Sequence, residues 1–94
     1  RLPTETEMET ERLSWIQAPI NSSNGQNGAY ASPLKLISAS VRSNTDGIII
    51  GGPGSYWTST SSSLLSRALH FEGGNAYMNM YGRASGRSVR CIKN

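Results

Sequence analysis

The chain has 94 residues, which is enough for one small domain and leaves no room for a second. Its nine basic and six acidic residues give a net charge of +3, but they include no run of lysine and arginine and no RNA-binding motif, so we expect no nucleic-acid partner. One cysteine excludes an internal disulfide, and no apolar run approaches the roughly 20 residues of a membrane-spanning helix, so we expect no membrane insertion.

The first predicted element is a helix near the start of the chain. Thr4 and Glu7 have the spacing of a capping box, which predicts that the helix begins at Glu5 and continues to the break at Pro19. Four acidic side chains lie along it, namely Glu5, Glu7, Glu9 and Glu11. Alternate positions of a helix point about 200° apart, so these carboxylates do not converge on one ion and we predict no metal site.

The middle of the chain is predicted to be an exposed loop followed by a hairpin. Residues 21–30 are polar and rich in asparagine and glycine, which is typical of a surface loop. Residues 33–41 predict an irregular strand and residues 48–50 a second one, and the Asp-Gly pair between them favours a hairpin turn. The glycine-rich residues 51–54 lack the lysine and hydroxyl residue of a phosphate-binding loop, so we interpret them as a connector.

The C-terminal half predicts an antiparallel β-meander. Residues 55–60 are aromatic and β-branched, and Trp57 is the predicted core anchor there, before a serine-rich loop. Residues 67–72, 75–81 and 86–93 predict three strands, joined by a two-residue glycine turn and by a longer turn. The predicted fold class is therefore α+β, with one N-terminal helix and a C-terminal antiparallel meander.

The strand predicted over residues 75–81 has two different faces, because successive side chains alternate. Ala76, Met78 and Met80 form the packing face. The opposite face, which we predict to bind a ligand, carries Asn75, Tyr77, Asn79 and Tyr81. Tyrosine suits that role because it offers rigid apolar area and a hydroxyl at a low cost in conformational entropy, and Tyr56 is a further candidate contact.

His70 is the single histidine in the sequence, and its surroundings predict no catalytic site. It lies between Leu69 and Phe71, which are expected to face the core, so His70 is predicted to point the other way, as a surface or ligand-contacting side chain. Asp46 or Glu72 would complete a Ser-His-acid triad on paper, but the sequence has no nucleophile elbow, so we predict no catalytic residue and no enzyme activity. These two are also the only acidic residues beyond the first helix, which argues against calcium-dependent sugar binding.

Arg90 and Cys91 are neighbours in the last predicted strand and so point to opposite faces. Free cysteine is among the most buried residue types, so we predict that Cys91 lies in the core. Arg90 then points away from the core, where it either pairs with a glutamate of the first helix or contacts an anion.

Four blocks of the sequence resemble one protein family. They are residues 1–9, which read Arg-Leu-Pro-Thr-Glu-Thr-Glu-Met-Glu, residues 32–36, residues 54–60, and residues 86–92, which contain Gly-Arg-Ser-Val-Arg-Cys. In this order they resemble the Fibrobacter succinogenes major paralogous domain across nearly the whole chain, although Met8 stands where an aromatic residue is more usual. The resemblance implies a C-type-lectin-like fold, related to that of formylglycine-generating enzymes. Those enzymes use a cysteine pair that takes up copper, which a single cysteine does not provide, so no cofactor is expected.

The resemblance also implies where the protein acts. Members of the family occur in exported and surface proteins of Bacteroidetes-type bacteria, often as C-terminal modules, and an adhesive role at pilus tips is among those implied. We therefore expect residues 1–94 to form a single C-type-lectin-like domain, the C-terminal part of a longer exported protein, that binds a protein or glycan at the cell surface. The family usually has a strand before its Arg-Leu-Pro-Thr block, so an upstream segment or a second chain is expected to supply one.

The predicted ligand-facing side of the strand also resembles a genetically diversified surface. Related C-type-lectin-like domains are the variable proteins of diversity-generating retroelements, in which codons for residues such as Asn and Tyr are rewritten on the ligand-facing surface. The residues that fit this description are Asn75, Tyr77, Asn79 and Tyr81. The competing expectation is a structural module that caps or joins a cell-surface assembly and binds no free ligand.

Overall fold

The structure, a computed structural model, describes residues 1–43 and 45–93 and contains two helices and five strands in these ranges. In chain order they are α1 (Glu5–Ser14), α2 (Gln26–Ala31), β1 (Val41–Arg42), β2 (Ile49–Ile50), β3 (Gly54–Ser62), β4 (Leu65–Glu72) and β5 (Asn75–Gly82). These strands form a two-stranded sheet, β1-β2, and a three-stranded sheet in the order β3-β4-β5, with antiparallel pairing in both. The predicted α+β class, with an N-terminal helix and antiparallel strands, is confirmed. Neither helix of the described ranges has the length and hydrophobicity of a membrane-spanning segment.

The helix α1 begins where its capping box predicts. The Thr4 hydroxyl accepts a hydrogen bond from the Glu7 amide at 3.2 Å, and the Thr4 amide donates to the Glu7 carboxylate at 2.8 Å. Both interactions satisfy amide groups that the start of a helix leaves without a partner. The helix ends at Ser14, earlier than predicted, and it contributes Met8 to the core, while Trp15 is buried just after its end.

The predicted exposed loop over residues 21–30 is wrong in its second half, which forms α2. Its glycines are packed against neighbouring backbone. A Cβ atom on Gly25 would lie 2.2 Å from the Gly73 carbonyl oxygen, and one on Gly28 would lie 1.9 Å from a carbonyl oxygen of the preceding segment. Ala29 is fully buried. The glycines therefore permit a close approach that places α2 against the three-stranded sheet, and they do not mark a loop.

The predicted strand over residues 33–41 is also wrong, except at its end. Lys35 and Ser40 have φ angles of 52° and 71°, which interrupt an extended strand, and only Val41–Arg42 forms β1. Leu36 is nevertheless buried, and its amide donates to a carbonyl of α2 at 3.0 Å. The predicted hairpin is confirmed, because β1 pairs with β2.

The predicted meander is present, but its third strand is a different one. β4 pairs with β5 across the predicted glycine turn, and the other neighbour of β4 is β3. Residues 86–93, the predicted last strand, form isolated bridges to β1 and β3 instead. The Ser88 amide donates to the Ser55 carbonyl at 2.9 Å, so this segment lies beside the free edge of β3. The sequence under-predicts β3 because five of its nine residues are serine or glycine, which are uncommon in strands.

The core lies between the helices and one face of the three-stranded sheet. Phe71 stacks on Tyr56 with ring centroids 6.2 Å apart, and it meets Trp15 edge-on at 5.8 Å. The buried residues of this core are Met8, Trp15, Ala29, Leu36, Tyr56, Leu69, Phe71 and Ala76. Their burial is the main stabilising contribution, since each large apolar side chain removed from water is worth about 1.5–3 kcal/mol.

Two predicted positions near the core are wrong, and the glutamate partner predicted as one alternative for Arg90 is not found among the described residues. Trp57, the predicted anchor, is half-buried on the face of β3 that is turned away from the core. Cys91, predicted to lie in the core, is exposed, because its segment does not join the sheet as a strand. Arg90 donates to a backbone carbonyl at 2.9 Å and forms no ion pair with a described residue. The ion pair that joins the sheet to α1 is the one between Arg67 and Glu5.

Candidate functional site

The three-stranded sheet has a second face, turned away from the core and the helices, which we call the outer face. Residues paired directly across antiparallel strands share a face, so His70 lies beside Tyr77 and Ser66 lies beside Tyr81. The members of the outer face are Ser55, Trp57, Ser66, Ala68, His70, Glu72, Asn75, Tyr77, Asn79 and Tyr81. The structure thus brings five of the six predicted contact residues together, and Tyr56 is the exception.

Tyr56 lies on the opposite side of β3, which corrects its predicted role as a ligand contact. Its side chain is buried against Phe71 in the core. Its hydroxyl donates to the Ile37 carbonyl at 3.0 Å and accepts from the Ile37 amide at 3.1 Å. Tyr56 therefore stabilises the irregular segment that precedes β1.

His70 lies on the outer face, as the alternation along β4 predicts, but it is not a surface residue. It is 7% exposed, and the rings of Tyr77 and Tyr81 lie against it at centroid distances of 5.5 and 5.7 Å. Its Nε2 atom is 2.9 Å from the Glu72 carboxylate, and its Nδ1 atom is buried with no hydrogen-bond partner among the described residues. His70 therefore supports the two tyrosines from below and does not project toward solvent.

Tyr77 and Tyr81 form the aromatic part of the outer face along β5. Tyr77 is 37% exposed, and Tyr81 is half-buried. Burial disfavours the phenolate and raises the pKa of Tyr81 to about 12, and the neighbouring Tyr77 raises it further in the same direction. At neutral pH the Tyr81 hydroxyl is therefore protonated, so it acts as a hydrogen-bonding group and not as a nucleophile.

Arg87 packs on the outer face, although the sequence pattern does not indicate it. Its guanidinium carbon lies 3.6 Å from the centroid of the Tyr81 ring and 5.7 Å from that of Trp57. Its Nη1 atom donates to the Ser55 hydroxyl at 2.8 Å, and its Nε atom donates to the Ser85 hydroxyl at 3.1 Å. Burial lowers the pKa of this guanidinium, because the charged group loses contact with water. The local sequence contains no signal for this position, since Arg87 and Ser55 are 32 residues apart.

Asn75 and Asn79 are exposed on β5, which is an edge strand of the sheet. The Asn79 side-chain oxygen accepts a hydrogen bond from the Met80 amide at 2.8 Å. On the other face of β5, Ala76 is buried and Met78 packs against the core. The predicted division of this strand into a packing face and a polar-aromatic face is therefore confirmed.

Two of the grooves that the described residues form lie beside the hairpin and the sheet, and neither is indicated by the sequence. The first, which we call the arginine groove, has a volume of about 290 Å³ and lies between the β1-β2 hairpin and the C-terminal segment; Arg42, Ile49 and Arg87 are among its lining residues. The second has a volume of about 420 Å³ and lies between the glycine-rich connector and the turn after Glu72. Because Arg87 also packs on Tyr81, it joins the arginine groove to the outer face.

The chemistry of these surfaces suits contact with a ligand. Glu72 pairs with His70, but the triad that can be written from the sequence is incomplete, because no serine hydroxyl in the described part of the chain is hydrogen-bonded to His70. Asp46, the other candidate acid, accepts a hydrogen bond from the Ile48 amide within the hairpin turn. Among the described residues, no three His, Cys, Asp or Glu side chains form a group able to hold a metal ion. The aromatic, amide and guanidinium groups of the outer face provide apolar area and hydrogen-bonding atoms on one surface.

No family model, no curated protein and no solved structure matches the chain.

Proposed function

We propose that this chain is a ligand-binding or adhesion module without enzymatic activity, and that its outer face contacts a protein or glycan ligand. The observation that supports this most directly is the pair Tyr77 and Tyr81, which lie together over His70 on a regular sheet. The rings and hydroxyls of tyrosine contact apolar and polar groups alike. Asn75 and Asn79 on the same face add amide donors and acceptors.

The packing around the two tyrosines supports the proposal. His70 fills the space below both rings, and Arg87 packs on the ring of Tyr81. Side chains that are held in place before contact lose less conformational entropy on binding than flexible ones do. Truncating a well-packed tyrosine at the centre of an interface typically costs about 2 kcal/mol or more of binding free energy. The outer face places two tyrosines close together.

We further propose that the fold is C-type-lectin-like and that the chain is related to the Fibrobacter succinogenes major paralogous domain. Three of the blocks that resemble this family lie next to each other: residues 1–9 contain the cap of α1, residues 54–60 lie in β3, and residues 86–92 run beside β3. The Ser59 amide of β3 donates to the Pro3 carbonyl at 2.8 Å. Mutual contact between these blocks supports their origin in one structural framework.

On this proposal the module acts at the bacterial cell surface, within a longer exported protein such as a pilus-tip adhesin. The most specific version of this proposal is that the module is a variable protein of a diversity-generating retroelement, because the alternating Asn and Tyr residues of β5 share the outer face. Sequencing the neighbourhood of the gene tests this form. A near-repeat of the β5 coding region that differs at adenines is expected, and its absence would exclude diversification.

Screening on protein and glycan arrays tests the outer face. Tyr77→Ala and Tyr81→Ala are expected to weaken binding to the ligand that the wild type captures by about tenfold or more. Tyr30→Ala is the matched control, because Tyr30 is 59% exposed on α2, which packs on the other side of the sheet. Undiminished binding by both outer-face variants, or an equal loss with Tyr30→Ala, would overturn the proposal.

A structural role in a cell-surface assembly is the second candidate. It is favoured by three consecutive exposed isoleucines, Ile48, Ile49 and Ile50, whose exposed fractions are 62%, 58% and 50%. Large exposed apolar patches on soluble proteins commonly mark interaction sites. If this is the function, Ile48→Ser should prevent incorporation of the module into its assembly, whereas Tyr77→Ala should not.

A further inference from the structure

The arginine groove carries positive charge, and none of its lining residues is acidic. Arg42 and Arg87 line it, and the remaining lining residues are apolar, serine or glycine. All six acidic side chains have partners elsewhere: Glu5 with Arg67, Glu7 with Arg1, Glu9 with Arg12, Glu11 with the Trp15 indole, Asp46 with the Ile48 amide, and Glu72 with His70. No ion pair among the described residues involves Arg42 or Arg87, and the Arg42 guanidinium donates to the Gly47 carbonyl of the hairpin turn.

Arg87 is half-buried without a neutralising charge. Two of its N–H groups donate to uncharged serine hydroxyls, and its flat face covers the Tyr81 ring. Burial lowers the pKa of Arg87, which is the direction expected when a cation loses water and gains no anion. An arginine in this state favours a carboxylate, because the guanidinium fork forms charge-assisted hydrogen bonds with it.

An exposed apolar side chain, that of Ile49, lies beside the two arginines. Ile49 lines the groove itself, and it stands between the exposed Ile48 and Ile50. Aliphatic side chains favour other apolar protein side chains as neighbours. The residues that line the groove include no aromatic side chain on which a sugar ring can stack. The combination of charge and apolar surface therefore fits a protein segment better than an acidic glycan.

We propose that the arginine groove binds an extended segment of a protein ligand that presents acidic and apolar side chains on the same face. Its carboxylates contact Arg42 and Arg87, and an apolar side chain packs on Ile49. This inference rests on the proposed function and specifies the class of ligand, a protein with an exposed acidic segment. Charge attraction contributes to binding, so the affinity decreases as the salt concentration rises.

A capped eight-residue peptide of the repeat Glu-Ser-Val-Ser is a suitable probe, because alternate side chains of an extended peptide point the same way and so place glutamate and valine on one face. Its binding to the full chain is followed by amide chemical-shift changes. We expect saturable shifts at Arg42, Ile49 and residues 86–88. Arg42→Gln should weaken binding by about tenfold, the loss of one charge-assisted hydrogen bond. A peptide with glutamine in place of glutamate loses the carboxylates for both arginines and should bind more weakly still.

Lys35→Gln is the matched control, because it removes the same charge from an exposed residue outside the groove. It should bind the peptide as the wild type does. The absence of saturable shifts, equal affinity for the glutamine peptide, or an equal loss with Lys35→Gln would overturn the proposal. Tighter binding of a polyuronate oligosaccharide than of the peptide would also overturn it. Circular dichroism and thermal melting establish that each variant is folded.

The array experiment separates failure of this inference from failure of the proposed function. A captured ligand that is lost with Tyr77→Ala and kept by Arg42→Gln would retain the outer face as the binding surface and overturn the groove proposal. A ligand that is lost with Arg42→Gln and kept by both tyrosine variants would support the groove and overturn the role of the outer face.

Discussion

The guanidinium of Arg87 lies over the ring of Tyr81, 3.6 Å from its centroid, although the segment that carries Arg87 is not a strand of the sheet. This contact and the hydrogen bond to the Ser55 hydroxyl of β3 hold the C-terminal segment against the outer face. Arg87→Gln should therefore lower the free energy of unfolding by about 1–2 kcal/mol, measured by urea denaturation.

Arg83→Gln is the control for this measurement. Arg83 is exposed in the neighbouring turn and makes one hydrogen bond, to the Ser66 hydroxyl at 3.2 Å. Its replacement should change the free energy of unfolding by no more than about 0.5 kcal/mol. If both variants were equally stable, the packing of Arg87 on Tyr81 would make no measurable contribution to the free energy of unfolding.

The raised pKa of Tyr81 predicts a loss of stability in alkaline solution. A tyrosine outside the fold ionises near 10.0, whereas burial raises the pKa of Tyr81 to about 12 in the folded protein. As the pH rises, the unfolded chain releases this proton first. The stabilising contribution is therefore complete below pH 10 and is lost between pH 10 and about 12. Urea denaturation across this range should show a smaller decrease in the free energy of unfolding for Tyr81→Phe than for the wild type. Tyr30→Phe is the control and should behave as the wild type. Equal decreases in all three proteins would contradict the prediction.

The capping box of α1 predicts sensitivity to acid. The hydrogen bond from Arg1, followed by that from the Thr4 amide, lowers the pKa of Glu7 from 4.5 to about 2. The folded protein keeps this carboxylate ionised when the unfolded chain is already protonated. Its contribution to stability is therefore present above pH 4.5 and is lost as the pH falls toward 2. Glu7→Gln should flatten this part of the curve of unfolding free energy against pH, and a wild-type slope in the variant would rule out the effect.

Gly28 in α2 should not tolerate a side chain. In an exposed helix, replacing glycine by alanine stabilises by about 1 kcal/mol. Here the added Cβ would lie 1.9 Å from the Ser23 carbonyl oxygen and 2.8 Å from the Trp15 Cβ, so Gly28→Ala should lower the free energy of unfolding by about 1–3 kcal/mol. At Gly74 nothing lies within 4 Å of such an atom, so Gly74→Ala is the control and should unfold much as the wild type does. A fully stable Gly28→Ala protein would show that α2 can move away from its neighbours.

Local patterns in the sequence predict those elements whose deciding contacts are close along the chain. The capping box at Thr4 predicts the start of α1, and the glycine turn after Glu72 predicts the pairing of β4 with β5. The alternation of side chains along β5 is also a local pattern, and it correctly places Ala76 on the buried face and Tyr77 on the exposed one. Five of the six candidate contact residues share the outer face for this reason.

Contacts between distant segments could not be predicted in this way. Tyr56 and Trp57 are adjacent aromatic residues of β3, and their order alone does not reveal which one faces the core. Phe71 of β4 decides this, because Tyr56 stacks on it. In the same way, α2 depends on the close approach of Gly25 to the turn after β4, and Arg87 reaches the outer face because Ser88 pairs with β3 and not with β5.

The bridge between Ser88 and β3 has a mechanical consequence. Two backbone hydrogen bonds join Ser88 to β3, whereas β3, β4 and β5 are joined by ladders along most of their length. A pulling force applied through residues 86–93 is therefore carried first by a few bonds and by the contacts of Arg87. Their rupture lifts Arg87 from Tyr81 and opens the ring to solvent, so tension alters the binding face before the sheet unfolds. Single-molecule force spectroscopy should record this as a short extension ahead of the main unfolding event.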